Sequence, residues 1–245
     1  MPALPRVAAT LILPRQAAPP AAGIEVLMLR RHAGSAFMPG AYVFPGGVVE
    51  ESDYSPEMER LCRGLTSARA RDIIPDATPP RKALGFFVAA VREAFEEAGI
   101  LLACTEASSP SSLTHEQKAR LASHRLPVHR NPRLFASMLA GEGLKIAADS
   151  LSYFAHWITP EASPIRFDAR FFVAAAPEDQ EASSDDMETT AALWIAPRAL
   201  LEAHHRGDLY LPVPTLASVT ALMEFSSVEQ VIASARARAI RVSYG

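Results

Sequence analysis

The stretch LGFFVAAVREAFEEAG, Leu84–Gly99, constrains this chain more than any other. At about 100° per residue it reads as a helix with Val88, Val91 and Phe95 on one face and Glu93, Glu96 and Glu97 on the other. Gly99 stops it as a C-terminal cap. Like charges at i,i+4 cost an isolated helix about 0.2–0.5 kcal/mol, so three glutamates within one turn ask for an explanation. Either the face is merely solvated, or something positive sits on it. Hard oxygen donors at that density suit Mg²⁺ or Mn²⁺. Arg92, four residues before Glu96, is placed to pair with it and hold its carboxylate.

The elements around this helix are mixed. VAATLIL and IEVLMLRR are β-branched, apolar runs that read as strands. AYVFPGGVV is a third, interrupted at Pro45-Gly46-Gly47, where a Gly-Gly pair lets backbone come close to a ligand. ILLACT, LSYFAHWITP, RFDARFFVAAAP and ALWIAP extend the strand set. LTHEQKARLASHRL, PRLFASMLAGEG, PRALLEAHHRG, VPTLASVTALMEFS and SVEQVIASARAR read as helices. Strands and helices alternate irregularly, with several strands in succession, which predicts a mixed α/β sandwich rather than a doubly wound sheet. About Ser55 to Arg81 reads as an insertion or loop carrying Arg and Pro without clean periodicity, and EASSPSSLTHEQ and the acidic APEDQEASSDDME read as polar connections.

Composition excludes several classes. A net charge of −3 argues against a nucleic-acid binder. No apolar run reaches membrane length, and the N-terminal sixteen residues lack the layout of a signal peptide. Cys62 and Cys104 form no CxxC pair and are expected to be buried or incidental thiols of a reducing compartment. There is no GxSxG elbow for a serine hydrolase. His204-His205 has no third ligand at metal spacing and reads as a solvated helix end. A di-iron helical protein would need E-x-x-H pairs that are absent.

GGVVEESD and REAFEEAGI together resemble the two halves of the Nudix box, G-x5-E-x7-R-E-U-x-E-E-x-G-U, where U is a bulky apolar residue. Gly47 takes the opening glycine. Arg92, Glu93, Glu96, Glu97, Gly99 and Ile100 match the second half; Ala94 stands at the U position and Asp53 where the pattern has Glu. The departure is one of spacing. Thirty-eight residues, Tyr54 to Val91, stand where the family has seven. A long insertion there is similar to the Nudix branch that includes the mammalian peroxisomal coenzyme A diphosphatase. FMPGAYVFPGG, RFDARFF and LPVPTLASV also resemble that branch.

The resemblance implies one Nudix domain over residues 1–245, an α/β/α sandwich around a mixed sheet. It has an insertion at about 54–85 inside the box and a C-terminal helical extension at about 197–245. It implies metal-dependent hydrolysis of a nucleoside diphosphate derivative, a small-molecule partner. Glu93, Glu96, Glu97 and the carbonyl of Gly47 stand as metal ligands. Arg92 orients a glutamate, and Glu97 is the first candidate for general base. Glu188, before a strand, is the second, against the alternative of an exposed loop acid. The motif R-x3-G-x3-F-P-G-G of coenzyme A-cleaving members is matched at Gly40 and Phe44-Pro45-Gly46-Gly47, but Ala36 replaces its Arg. Coenzyme A or an acyl-CoA is therefore the leading substrate, with ADP-ribose or another nucleotide diphosphate as the alternative. Phe44 and Gly46 join the substrate-binding set through that motif. Arg30, Arg31 and Arg166 are candidates for substrate phosphates, set against strand-end or sheet-pairing roles. Phe37, Tyr42 and Phe172 are candidates for stacking on adenine or for the core. The insertion, from its position beside the metal site, reads as a lid. A non-catalytic nucleotide sensor is the competing class, and the complete set Glu93, Glu96 and Glu97 favours the enzyme. The family resemblance raises a homodimer, and the ending RVSYG, unlike a peroxisomal address, points to the cytoplasm.

Overall fold

The computed structural model describes residues 3–19, 21–105 and 113–237. Most of the Ser-rich joint and the last eight residues lie outside them. The strands are β1 (Arg6–Ile12), β2 (Pro14–Gln16), β3 (Ile24–Arg31), β4 (Tyr42–Val43), β5 (Gly46–Val48), β6 (Ala103–Cys104), β7 (Lys145–Ile146), β8 (Ser152–Ile158), β9 (Phe167–Val173) and β10 (Thr189–Ile195). The helices are α1 (Pro56–Arg60), α2 (Ser67–Ile73), α3 (Lys82–Ala98), α4 (His115–Arg130), α5 (Leu134–Gly141), α6 (Pro197–Arg206), α7 (Val213–Leu222) and α8 (Val228–Ala237).

One sheet runs β5-β1-β9-β8, with β1 and β9 parallel and the other pairs antiparallel. A second runs β10-β3-β2 with β4 on β3, all antiparallel. The chain passes from one sheet to the other at Leu13, between β1 and β2. Side-chain alternation then builds two cores. Leu11, Leu27, Leu29 and Phe172 face the cluster containing α3; Ile12, Val26, Met28, Phe171 and Val173 face the cluster containing α6 to α8. Helices therefore cover both faces, the sandwich expected from the sequence.

Helix α3 departs from a simple amphipathic pattern. Its apolar residues are buried nearly all round, and its charged residues are buried too: Arg92, Glu96 and Glu97 are 1, 3 and 2% exposed. The solvated-face reading is thereby excluded. Gly99 at φ 71° closes the helix, donating to Phe95 O, while Ile100 N–H returns to Ala94 O, as a left-handed cap does.

The insertion is not a free polar loop. A 3₁₀ turn, Glu51–Tyr54, and helix α2 pack against α3, and α1 packs on the turn. Met58, Leu65, Ala70, Ile74 and Ala77 lie in the α3 core. Asp76 is tied to the buried Arg170 of β9, which also pairs with Asp168 and lies over the Phe86 ring. These anchors make the segment part of the wall behind α3 rather than a lid. ILLACT yields only the two-residue β6, paired with β7. Helix α4 runs through Pro127 to Arg130, beyond the expected end at Leu126. Cys104 is buried and Cys62 half-buried, both free; burial pushes the Cys62 thiol up to about 12, where it is inert.

Candidate active site

The centre is organised by Arg92, whose five N–H groups are all used. Nε and Nη2 donate to the two oxygens of Asp53 at 2.9 Å each. Nη1 donates to Glu93 Oε1 and Glu96 Oε1 at 2.9 Å each, and Nη2 also reaches Val48 O at 2.9 Å. The expected Arg92–Glu96 pair is present. The fork to Asp53 is the larger feature, and it gives a place to a residue whose function the stretched box left open. Asp53 is fully buried and also accepts the Glu50 N–H at 2.8 Å, so the 3₁₀ turn that opens the insertion is pinned to α3.

Strand β5 supplies the other wall. Its register on β1 sets Gly47 opposite Ala9 and Gly46 opposite Thr10. Gly46 N–H donates to Glu97 Oε2 at 2.9 Å, so Gly46 orients a carboxylate. A Cβ on Gly47 would stand 2.5 Å from the Glu93 carboxyl carbon; the close approach requires glycine.

Four carboxyls and one guanidinium share this buried space, and the electrostatics follow. Burial pushes Glu93 up to about 8, with Arg92 opposing and Glu96 reinforcing. Glu97 is held well above the usual carboxylate range by burial, then by Glu93 and Glu188, against the Gly46 N–H and Arg31. Glu96 is raised by burial, against Arg92 and His129. The cluster holds more negative charge than Arg92 neutralises, and an added cation would relieve it.

The donor chemistry fits a hard divalent ion. Glu93 and Glu97 each engage one oxygen with the protein through these contacts. Glu96 instead has one oxygen on Arg92 and the other 3.5 Å from His129 Nδ1. Among the described residues no three His, Cys, Asp or Glu side chains already converge as a ligand group. The expected Glu93, Glu96 and Glu97 set is thus brought together in one cluster without being arranged as a finished cage.

The remaining candidates divide. Glu188 is half-exposed, and it raises Glu97 electrostatically, so it belongs to the same field. Its partner His129 was missed because the helix was expected to stop before Pro127. Arg31 also acts on Glu97, with its Nε on Phe37 O at 3.0 Å. Arg30 points to the other face of β3. There it lines a cavity of about 480 Å³ with Tyr42, His204 and Tyr210. Arg166 is spent on the β8–β9 hairpin and the N-terminal segment, donating to Thr159 O at 3.0 Å and Ala3 O at 2.9 Å, which corrects its phosphate-binding assignment. Phe44 is 3% exposed within the second core, so its ring is not available to substrate. Phe172 is likewise core, and Phe37 packs edge-on to Phe167. Asp168 pairs with His156 and Arg170 rather than Arg166.

Residues 5–222 match the family described as the NUDT19 Nudix domain. The acyl-coenzyme A diphosphatase NUDT19 of Gallus gallus is 32% identical over 235 residues, covering 83% of this chain and 62% of the relative. The Homo sapiens protein of that name is 31% identical over 237 residues, covering 86% and 63%. The chain thus spans somewhat under two thirds of these relatives. Among solved structures, a Nudix hydrolase from Alicyclobacillus acidocaldarius superposes with a TM-score of 0.71 at 28% identity, covering 94% of this chain and 96% of that one. No helix among the described residues is long and apolar enough to cross a membrane. With the box glutamates gathered around Arg92 and the match running over most of its length, the chain belongs to the Nudix hydrolase family, in its NUDT19 branch.

Proposed function

We propose that the chain is a metal-dependent diphosphohydrolase acting on coenzyme A or an acyl-CoA, releasing 3′,5′-ADP and (acyl-)4′-phosphopantetheine. The observation that carries this reading is the buried, charge-excess cluster in which Arg92 holds Glu93 and Glu96 while the Gly46 N–H holds Glu97. The names of the NUDT19 relatives support the substrate class.

Glu93, Glu97, Glu96 and the Gly47 carbonyl are the groups that would hold Mg²⁺ or Mn²⁺. Bound there, the ion would neutralise the diphosphate and acidify water. Arg92 keeps Glu93 and Glu96 oriented and does not touch substrate. Water oxygen forms the new bond to phosphorus, and the bridging P–O bond breaks with its electron pair on the departing phosphate. Glu97 accepts the water proton, a task suited to a carboxylate whose proton affinity is raised. Arg31 also acts on Glu97, which makes it a candidate cation for the substrate phosphates.

A mass-spectrometric panel tests the reading. It sets coenzyme A, acyl-CoAs, ADP-ribose, NADH and nucleotide sugars against wild type and Glu97→Gln, with Mg²⁺ or Mn²⁺. Turnover of coenzyme A lost in Glu97→Gln supports it. Turnover of another diphosphate alone removes the coenzyme A assignment and keeps the chemistry. Nucleotide binding without turnover under either metal would instead point to a non-catalytic sensor.

A further inference from the structure

Helix α4 carries Lys118, Arg125 and His129 along one stripe, at spacings of seven and four residues. All three meet the acidic loop between β9 and β10. Lys118 pairs with Asp179 at 2.7 Å. Arg125 donates through Nη1 to Ser183 Oγ at 2.9 Å and through Nη2 to Ser183 O at 2.8 Å. Its Nε reaches back to Glu96 O, on α3, at 2.7 Å. His129 lies between Glu96 Oε2 at 3.5 Å and Glu188 Oε1 at 3.9 Å.

The loop is tied to α3's end as well. Ser183 N–H donates to Ala98 O at 3.0 Å, and the Gln180 amide exchanges hydrogen bonds with both backbone groups of Leu101 at 2.8 and 3.0 Å. Its last turn is folded around Asp185, whose Oδ1 accepts the N–H groups of Met187, Glu188 and Thr189 at 3.1, 3.1 and 2.8 Å. Glu188 O then accepts the His32 N–H at 2.8 Å. A connection of this length and polarity would ordinarily wander. Here nearly every turn of it is fastened, and the fastening ends at Glu188, whose carboxylate lies 3.9 Å from the imidazole that also meets Glu96.

We propose that the α4 stripe, with Arg125 at its centre, is a brace that holds Glu188 in the acidic centre. Arg125 is a positioning residue and Glu188 is the group it positions. The proposal rests on the reading of α3 as a divalent-metal centre, and it adds an anion from outside the Nudix box to that centre.

The test is a double-mutant cycle read by Mn²⁺ affinity, from the paramagnetic resonance signal of free Mn²⁺. Glu188→Gln and Arg125→Ala are each expected to weaken Mn²⁺ binding roughly tenfold, as loss of a supporting charge or orienting partner does. The double variant is expected to be no weaker than either single one. Additive losses would overturn the brace, because Arg125 would then be acting through Glu96 O and α3 alone. Unchanged affinity in Glu188→Gln would overturn it too. Lys118→Met, which removes only the outer, part-exposed tie, guards against a fold failure in Arg125→Ala. It should raise hydrogen exchange at Glu188 and Thr189 and reduce Mn²⁺ affinity in wild type but not in the Glu188→Gln background; unchanged exchange and affinity would count against the brace. Diphosphate turnover is assayed separately. A non-additive cycle in a protein without turnover leaves the brace standing and removes the hydrolase reading.

Discussion

Replacing Arg92 by Ala is the most informative perturbation of the centre. Asp53, Glu93 and Glu96 would lose their shared cation while remaining in place, at 1, 13 and 4% side-chain exposure. Removing one partner of a buried ion pair costs about 3–5 kcal/mol, because the surviving charge stays desolvated. Against a total stability of about 5–15 kcal/mol that is a large fraction. For a domain of this size it corresponds to a fall in Tm of about 6–20 °C. Arg92→Lys keeps the charge, but one ammonium cannot fork to Asp53 while also reaching Glu93, Glu96 and Val48 O, so about 1–3 kcal/mol should still be lost. Urea denaturation of the chelated protein, followed by circular dichroism, measures both. The same experiment near pH 5 checks the cause: acid neutralises the stranded carboxyls, so the deficit of Arg92→Ala should shrink. Millimolar Mn²⁺ should shrink it as well. A loss below about 1 kcal/mol at neutral pH, or a loss independent of pH and metal, would refute the electrostatic account.

Other outcomes follow from single contacts. Glu93 has a folded-state value of about 8 against 4.5 unfolded, so the folded protein holds that proton more tightly. The associated stability is present at acid pH and is lost as pH rises from about 4.5 to about 8. Urea midpoints of chelated protein should therefore fall between about pH 6 and pH 8, and less so with Mg²⁺; a midpoint that rises over that window would contradict the assignment. Gly47→Ala sets a Cβ 2.5 Å from the Glu93 carboxyl, so Mn²⁺ affinity should fall by more than stability does. Gly46→Ala sets a Cβ 2.5 Å from Ala9 O and 2.8 Å from Thr10 Cα, both backbone, so β5 itself must shift and Tm should drop as well; calorimetry beside a Mn²⁺ titration separates the two. Arg170→Met should release Asp76 and speed proteolysis of residues 55–81, with a stability loss of about 1–2 kcal/mol, since Asp168 is part-exposed and keeps His156 as a partner.

What the sequence made legible was local. The glutamates of α3, the Gly-Gly strand and the alternation that sends Arg30 and Arg31 to opposite faces of β3 all follow from periods of 3.6 and 2. The Arg92–Asp53 fork does not, since its partners lie 39 positions apart and only the docking of the 3₁₀ turn on α3 brings them together. The insertion was misread because Met58, Leu65, Ala70, Ile74 and Ala77 bury a face assembled from three short pieces, none long enough to show a period. His129 was lost at Pro127, a residue that usually ends a helix but here sits within the last turn, where few backbone bonds remain to break. Arg166 was drawn toward substrate by its charge and Phe44 by motif position, whereas hairpin carbonyls and the second core already occupy them. The acidic loop looked solvated because its ties come from Lys118, Arg125 and Gln180, residues with no sequence pattern that links them.

The claim at the centre of this account is that the α3 carboxylates hold a divalent cation for diphosphate cleavage. A crystal soaked in Mn²⁺ and measured at the manganese absorption edge addresses it directly. An anomalous peak is expected beside Glu93 and Glu97, next to the Gly47 carbonyl, and is expected to be lost in Glu97→Gln. Manganese found only elsewhere on the protein, or no peak under conditions in which Mn²⁺ supports turnover, would contradict it.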